Sequence, residues 1–250
     1  MTAVGTADGG AMEARRGGRH ATNPSSASAA RQGGGPTLPW RAAEPRWPAS
    51  LAVLTALALY ILLPSQLTPG PKWVLPALEV ALVVPLTVVN PDRSTRESSL
   101  VRTVSVVLIA LINVANVASL ALLVHFLLYG GRAQGRPLIY SAVAIWLTNI
   151  LIFALWYWEL DRGGPAERSS GTPKAASFLF PQMSGPGIGP DGWAPGFVDY
   201  LYVSFTNATA LSPTDTMPLS RWAKMLMLAQ ALASLVTVAL VAARAVNILN

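Results

Sequence analysis

The chain has 250 residues, of which 52% are hydrophobic and only 12% charged, with a net charge of +6 and a mean hydropathy of +0.43. An average soluble domain carries about 25% charged residues, so that class is excluded, and long apolar runs between short polar breaks predict an integral membrane protein. The absence of cysteine excludes a disulfide framework, a thiolate metal site and a cysteine nucleophile.

Residues 1–47 hold Gly, Ala, Ser, Pro and Arg with almost no large aliphatics. Such a segment cannot bury enough apolar surface to offset its ordering entropy and is expected to be disordered. Its Arg15, Arg16 and Arg19 set orientation as a solvated tail, or attract anionic headgroups. Residues 48–137 form a three-span part. The first span, 49–63, is short, and Trp40 and Trp47 before it are placed as interfacial anchors. The second, 72–89, is kinked by Pro76 and Pro85 and carries Glu79 inside its apolar run. A charged loop with Arg93, Arg96 and Arg102 leads to the third span, 101–129, with Ser98 or Ser99 as N-cap.

Residues 138–250 form the second part. A fourth span over 138–158 ends in Trp156, Tyr157 and Trp158, followed by Glu159, Asp161 and Arg162, which mark an interface. Residues 163–196, rich in Gly, Pro and Ser, are expected to form a flexible loop, with Phe178, Leu179 and Phe180 dipping into the interface or packing within the loop. A short aromatic run, 197–206, then a polar segment, 207–220, then a long apolar helix, 221–249, close the chain. The short run cannot span a bilayer, which needs about 20 apolar residues, and the last helix can. Half-helix, polar turn and full helix is the pattern of a re-entrant loop, with a surface hairpin as the alternative. The expected fold class is therefore all-α and membrane-integral, with about five transmembrane helices plus one re-entrant half-helix.

Polar groups inside a membrane require a partner or a cavity. Glu79 is a candidate proton or cation ligand, or a carboxyl hydrogen-bonded between helices. Asn113 and Asn116 lie three apart on nearly one face, with His125 on roughly the opposite one. Asn149 is a further intramembrane candidate. On the last helix Gln230, Ser234, Thr237, Val241 and Arg244 follow a 4-3-4-3 spacing, a stripe facing either a polar cavity or a packed bundle. Ala229 and Ala233 fit small-residue packing. No P-loop, HExxH or GxSxG is present, so neither an enzymatic role nor a cofactor is expected.

Residues 199–218, DYLYVSFTNATALSPTDTMP, resemble the pore loop of potassium channels. Ser204 and Phe205 match the pore-helix pair, Thr209 the first filter threonine, Asp215 the closing aspartate and Pro218 the downstream proline. Leu211, Ser212, Pro213 and Thr214 fill the filter positions, the two glycines falling on Ser212 and Thr214 and the tyrosine on Pro213. A potassium filter aims successive backbone carbonyls at the ion, which needs angles that glycine tolerates and proline restricts. The loop is more similar to that of a family of uncharacterised bacterial membrane proteins with a degenerate version of it, through Asp199, Tyr200, Leu201, Tyr202, Phe205, Thr206, Thr214, Asp215, Ser220, Arg221 and the closing Ala245, Val246 and Asn247. The resemblance implies an ion-channel-like pore module without potassium selectivity, a homo-oligomer in the lipid bilayer and a monovalent ion as guest. A small proton- or ion-coupled transporter and a non-transporting scaffold are the alternatives. No nucleic acid is expected, because the positive charge reports orientation in the cell membrane first. A cytoplasmic N-terminus puts ten loop cations inside, from Arg41 to Lys224, and leaves Lys72, Arg132, Arg136 and Arg244 outside. A potassium-channel pore loop enters from outside, which with five spans requires the opposite orientation.

Overall fold

The computed structural model describes residues 45–74, 76–77, 99–129, 135–169, 174–185, 188, 193–209 and 215–249. The expected disordered tail up to residue 44, most of the second span with Glu79, and the filter positions Leu211 to Thr214 lie outside them.

Helix α1 runs Trp47–Leu62, with Pro48 in its first turn, where the missing N–H costs nothing, and Pro64 just beyond its end. Its 16 residues rise only about 24 Å, short of a ~30 Å hydrocarbon core. Helix α2 is Ser99–Tyr129, α3 is Gly135–Leu160, α4 is the short Pro165–Ser169, α5 is Phe197–Thr209 and α6 is Arg221–Leu249. Among the described residues three stretches are long and apolar enough to cross a membrane: Arg102–Tyr129, Pro137–Gly163 and Arg221–Arg244. Strands β1 (Phe178–Leu179) and β2 (Met217–Pro218) form a two-residue antiparallel pair, Phe178 opposite Pro218.

Contacts at the two ends fix the helix directions. At one end Arg102 on α2 meets Glu159 on α3 at 4.0 Å. Toward the other, Leu63 and Leu67 pack with Leu123 of α2 and with Ala142 and Ile145 of α3. Helices α1 and α2 therefore run the same way and α3 runs back. Leu67 and Arg102 thus stand at opposite ends of the bundle.

Helix α5 starts at the Glu159 end, where Phe197 meets Trp158 edge-on at 6.0 Å. Its first turn is fixed by Asp199, whose Oδ2 accepts the Gly196 N–H at 2.8 Å, half of a capping box. It follows α3 inward until Ser204 reaches the Ile150 carbonyl. Trp158 and Ile150 are about 12 Å apart along α3. The chain then returns to the same end, where β2 pairs with β1 and Trp222 packs edge-on against Phe178 at 6.0 Å. The half-helix runs to Thr209, three residues into the segment expected to be polar turn, because Asn207 and Ala208 still face the protein.

The segment between α3 and α5 carries more built structure than a Gly/Pro/Ser-rich linker implies. Phe178 and Phe180 are buried against Tyr157, Tyr200 and Trp193 rather than lying at a lipid interface.

Candidate functional site: a neutral polar knot between three helices

Gln230 is fully buried on α6 and uses its whole amide. Its Nε2 donates to the Ser204 carbonyl at 2.9 Å and to Ser204 Oγ at 2.7 Å. Its Oε1 accepts from Tyr157 OH at 2.6 Å and from Asn207 Nδ2 at 2.8 Å. Both donors and both acceptor directions of the side chain are filled. Ser204 Oγ in turn donates to the Ile150 carbonyl at 2.6 Å, and Asn207 Nδ2 also donates to the Met227 carbonyl at 2.9 Å. Asn149 Nδ2 donates to Ser234 Oγ at 3.0 Å and to the Gln230 carbonyl at 3.4 Å. Asn149, Tyr157, Ser204, Asn207, Gln230 and Ser234 thus tie α3, α5 and α6 together without a formal charge.

The stripe on α6 is therefore a packing surface. Gln230, Ser234 and Thr237 are buried, and Thr237 donates to its own helix at the Ala233 carbonyl, 2.8 Å. Around the stripe, Met225, Leu228, Leu232, Leu235 and Val238 are exposed. Ala229, expected at a small-residue contact, is exposed too. In a bilayer such residues face lipid, while the polar row finds its partners inside the protein.

Beside the knot, at the Glu159 end, lies an ionic collar. Asp161 is fully buried: its Oδ1 accepts the Ser177 N–H at 2.7 Å, and its Oδ2 accepts Tyr200 OH at 2.6 Å. Arg162 stands 3.3 Å from the same Oδ2, and its other nitrogen reaches Met183 Sδ at 3.0 Å. Arg168 donates to the Trp158 and Asp161 carbonyls at 2.7 and 2.9 Å and lies over the Tyr200 ring at 5.3 Å. Burial pushes the Tyr200 hydroxyl well above the usual phenol range, and Asp161 adds to the shift while Arg168 opposes it. Tyr200 consequently remains the donor to Asp161. The turn that builds the collar is left-handed at Arg162 (φ 52), Gly163 (φ 86) and Gly164 (φ 94).

The predicted site residues separate into three groups. Ser204, Asn149, Gln230 and Ser234 meet in the knot, and Thr237 extends their row. Asn116 lines a separate recess between α1, α2 and α3, with Asn113 half-buried one turn away. Phe205 faces outward, edge-on to Trp146 at 6.2 Å; Thr209 ends α5 and bonds its own helix; Asp215 is exposed and Pro218 lies in β2. His125 is exposed near the end of α2, its ring tilted against that of Tyr129 at 5.1 Å. Tyr157 and Asn207 were missed as members. Tyr157 sits in an aromatic cluster that reads as interfacial, and Asn207 in a segment that reads as turn, so a polar residue on the inward face of each run was the available signal. Among the described residues no three His, Asp or Glu side chains come together as a metal site. No protein-family model, no curated protein and no solved structure matches this chain.

Proposed function

We propose that this is a multi-span membrane protein whose C-terminal part is a pore-like module, with α5 as a re-entrant helix and without conventional potassium selectivity. The observation that supports it most is the anchoring of α5. Ser204 is held about 12 Å inside the bundle beside Ile150, while the chain on both sides of the helix stays at the Glu159 end. A surface hairpin has no need of such a depth or of three helices closing on one glutamine. The opposite positions of Leu67 and Arg102 favour a further crossing between them, which gives five spans in all.

The loss of selectivity rests on chemistry rather than on geometry. Ser212, Pro213 and Thr214 replace the flexible backbone that a ladder of carbonyls needs. The module is proposed to work as a homo-oligomer passing monovalent ions with little preference. Purified full-length protein in liposomes tests it, with sodium and potassium fluxes measured under equal gradients and the oligomer mass measured in detergent. Comparable fluxes of the two ions are expected. No flux under any gradient overturns the pore and leaves a scaffold; strong preference for potassium overturns the reading of the loop.

A further inference from the structure

On the other side of α3 from the knot lies a recess lined by Tyr60, Leu63, Ile112, Asn116, Ser119 and Thr148. Thr148 directly precedes Asn149, and consecutive helical residues point about 100° apart, so α3 presents one polar side chain to each site. The hydroxyls of Ser119 and Thr148 are buried and have no hydrogen-bond partner among the described residues. Four other helical hydroxyls behave differently. Thr55, Ser141, Thr206 and Thr237 each donate to the carbonyl four residues earlier, at 2.8 Å. Two hydroxyls from different helices forgo that bond and line the same recess, and Asn116, one turn before Ser119, adds an amide.

A buried hydroxyl without a partner is strongly disfavoured in an apolar setting, so two at one place point to a shared guest. The lining sets its chemistry. Among the described residues no carboxylate borders the recess, so a cation there would find no counter-charge among them in a low-dielectric region. Hydroxyls and an amide both give and accept hydrogen bonds, and the free centre admits about one water-sized body. We propose that this recess binds a single water molecule, held by Ser119, Thr148 and Asn116, which bridges α2 and α3 beneath Tyr60.

The test uses the full chain in nanodiscs. Thr148→Val removes the hydroxyl at nearly constant volume, Ser119→Ala does so on the partner helix, and Thr237→Val is a control whose hydroxyl already bonds its own helix. Each recess variant is expected to lower the Tm by roughly 2–4 °C, the double variant by little more than the larger single one, and the control by less. If Thr148→Val raises the Tm or leaves it unchanged, the hydroxyl had no guest and the proposal falls; fully additive losses overturn the sharing. A measurement on the unsubstituted protein stands apart from these: magnetisation transfer from water to the Thr148 methyl group. Transfer is expected, and its absence overturns the site. The Tm is also expected to be equal in sodium, potassium and choline chloride at one ionic strength, and specific stabilisation by sodium would replace the water with a cation.

Discussion

Gln230 concentrates the polar bonding of three helices in one side chain. Replacing it by leucine keeps the volume and removes the partner of Tyr157 OH, while Ser204 Oγ and Asn207 Nδ2 lose one bond each and keep those to the Ile150 and Met227 carbonyls. At about 1–3 kcal/mol for the group stranded, with the lost bonds in addition, the expected loss of stability is several kcal/mol, read as a lowered thermal midpoint of the purified protein. Gln230→Glu separates bonding from charge. An ionised carboxylate is costly in this buried, uncharged setting, so the variant is expected to be most stable at low pH, where the group is neutral, and to lose stability as pH rises. A flat pH profile relative to the unsubstituted protein would show that the knot is hydrated. Asp199 offers a native case of the same sign. Burial raises its carboxyl above the usual range, against the opposing Gly196 N–H. Its contribution is therefore greatest when protonated and declines from about pH 4 upward, the unfolded value, to the raised folded one. Asp199→Asn keeps an acceptor for Gly196 and is expected to remove that slope from a Tm-against-pH curve.

At the scale of the element, the turn after α3 determines how α5 is met. Gly164 has φ 94, and a Cβ there would stand 2.9 Å from the Glu159 carbonyl oxygen. Gly164→Ala therefore combines an unfavourable backbone with a clash against main chain, and is expected to destabilise by more than about 1 kcal/mol. Loosening of the Asp161–Tyr200 collar should accompany it, visible as faster amide exchange at Ser177, whose N–H Asp161 holds. Most of the element boundaries are legible in the sequence because long apolar runs end at Pro, Gly and charged residues. The α6 stripe is legible too, since its 4-3-4-3 spacing matches one helical face. Its partners are not. Tyr157 and Gln230 are 73 residues apart, and a local pattern carries no information about which helix packs on which. The trio Trp156, Tyr157 and Trp158 resembles an interfacial belt, yet Tyr157 is fully buried because Phe178 from the loop covers that end of α3. The collar is equally obscure: Asp161 beside Arg162 reads as part of a membrane interface until Tyr200 and Ser177 are brought to it by the fold.

For the whole molecule, the contacts place Ala49, Arg102, Glu159 and the start of α5 at one end. The cations Arg46, Arg162, Arg168, Lys174, Arg221 and Lys224 belong to segments at this same end, and Arg244 lies toward the other. By the positive-inside rule we propose that this end of the bundle faces the cytoplasm, opposite to the potassium-channel arrangement. Reporter fusions at residues 40, 96 and 180 are expected to read the same, cytoplasmic, side. A reporter at 180 active outside would restore the channel orientation and reverse the charge argument.

The pairing of Phe178–Leu179 with Met217–Pro218, reinforced by the Leu219 N–H on the Ser177 carbonyl at 2.8 Å, joins the chain before α5 to the chain after it. Topologically it closes a ring of chain that contains α5. A ring can be cut once and remain a chain held at both ends. A protease site placed between Ser184 and Trp193 should therefore give two fragments that migrate as one particle in detergent and separate only on denaturation. The same two pieces, made as separate polypeptides, should find each other again in the membrane.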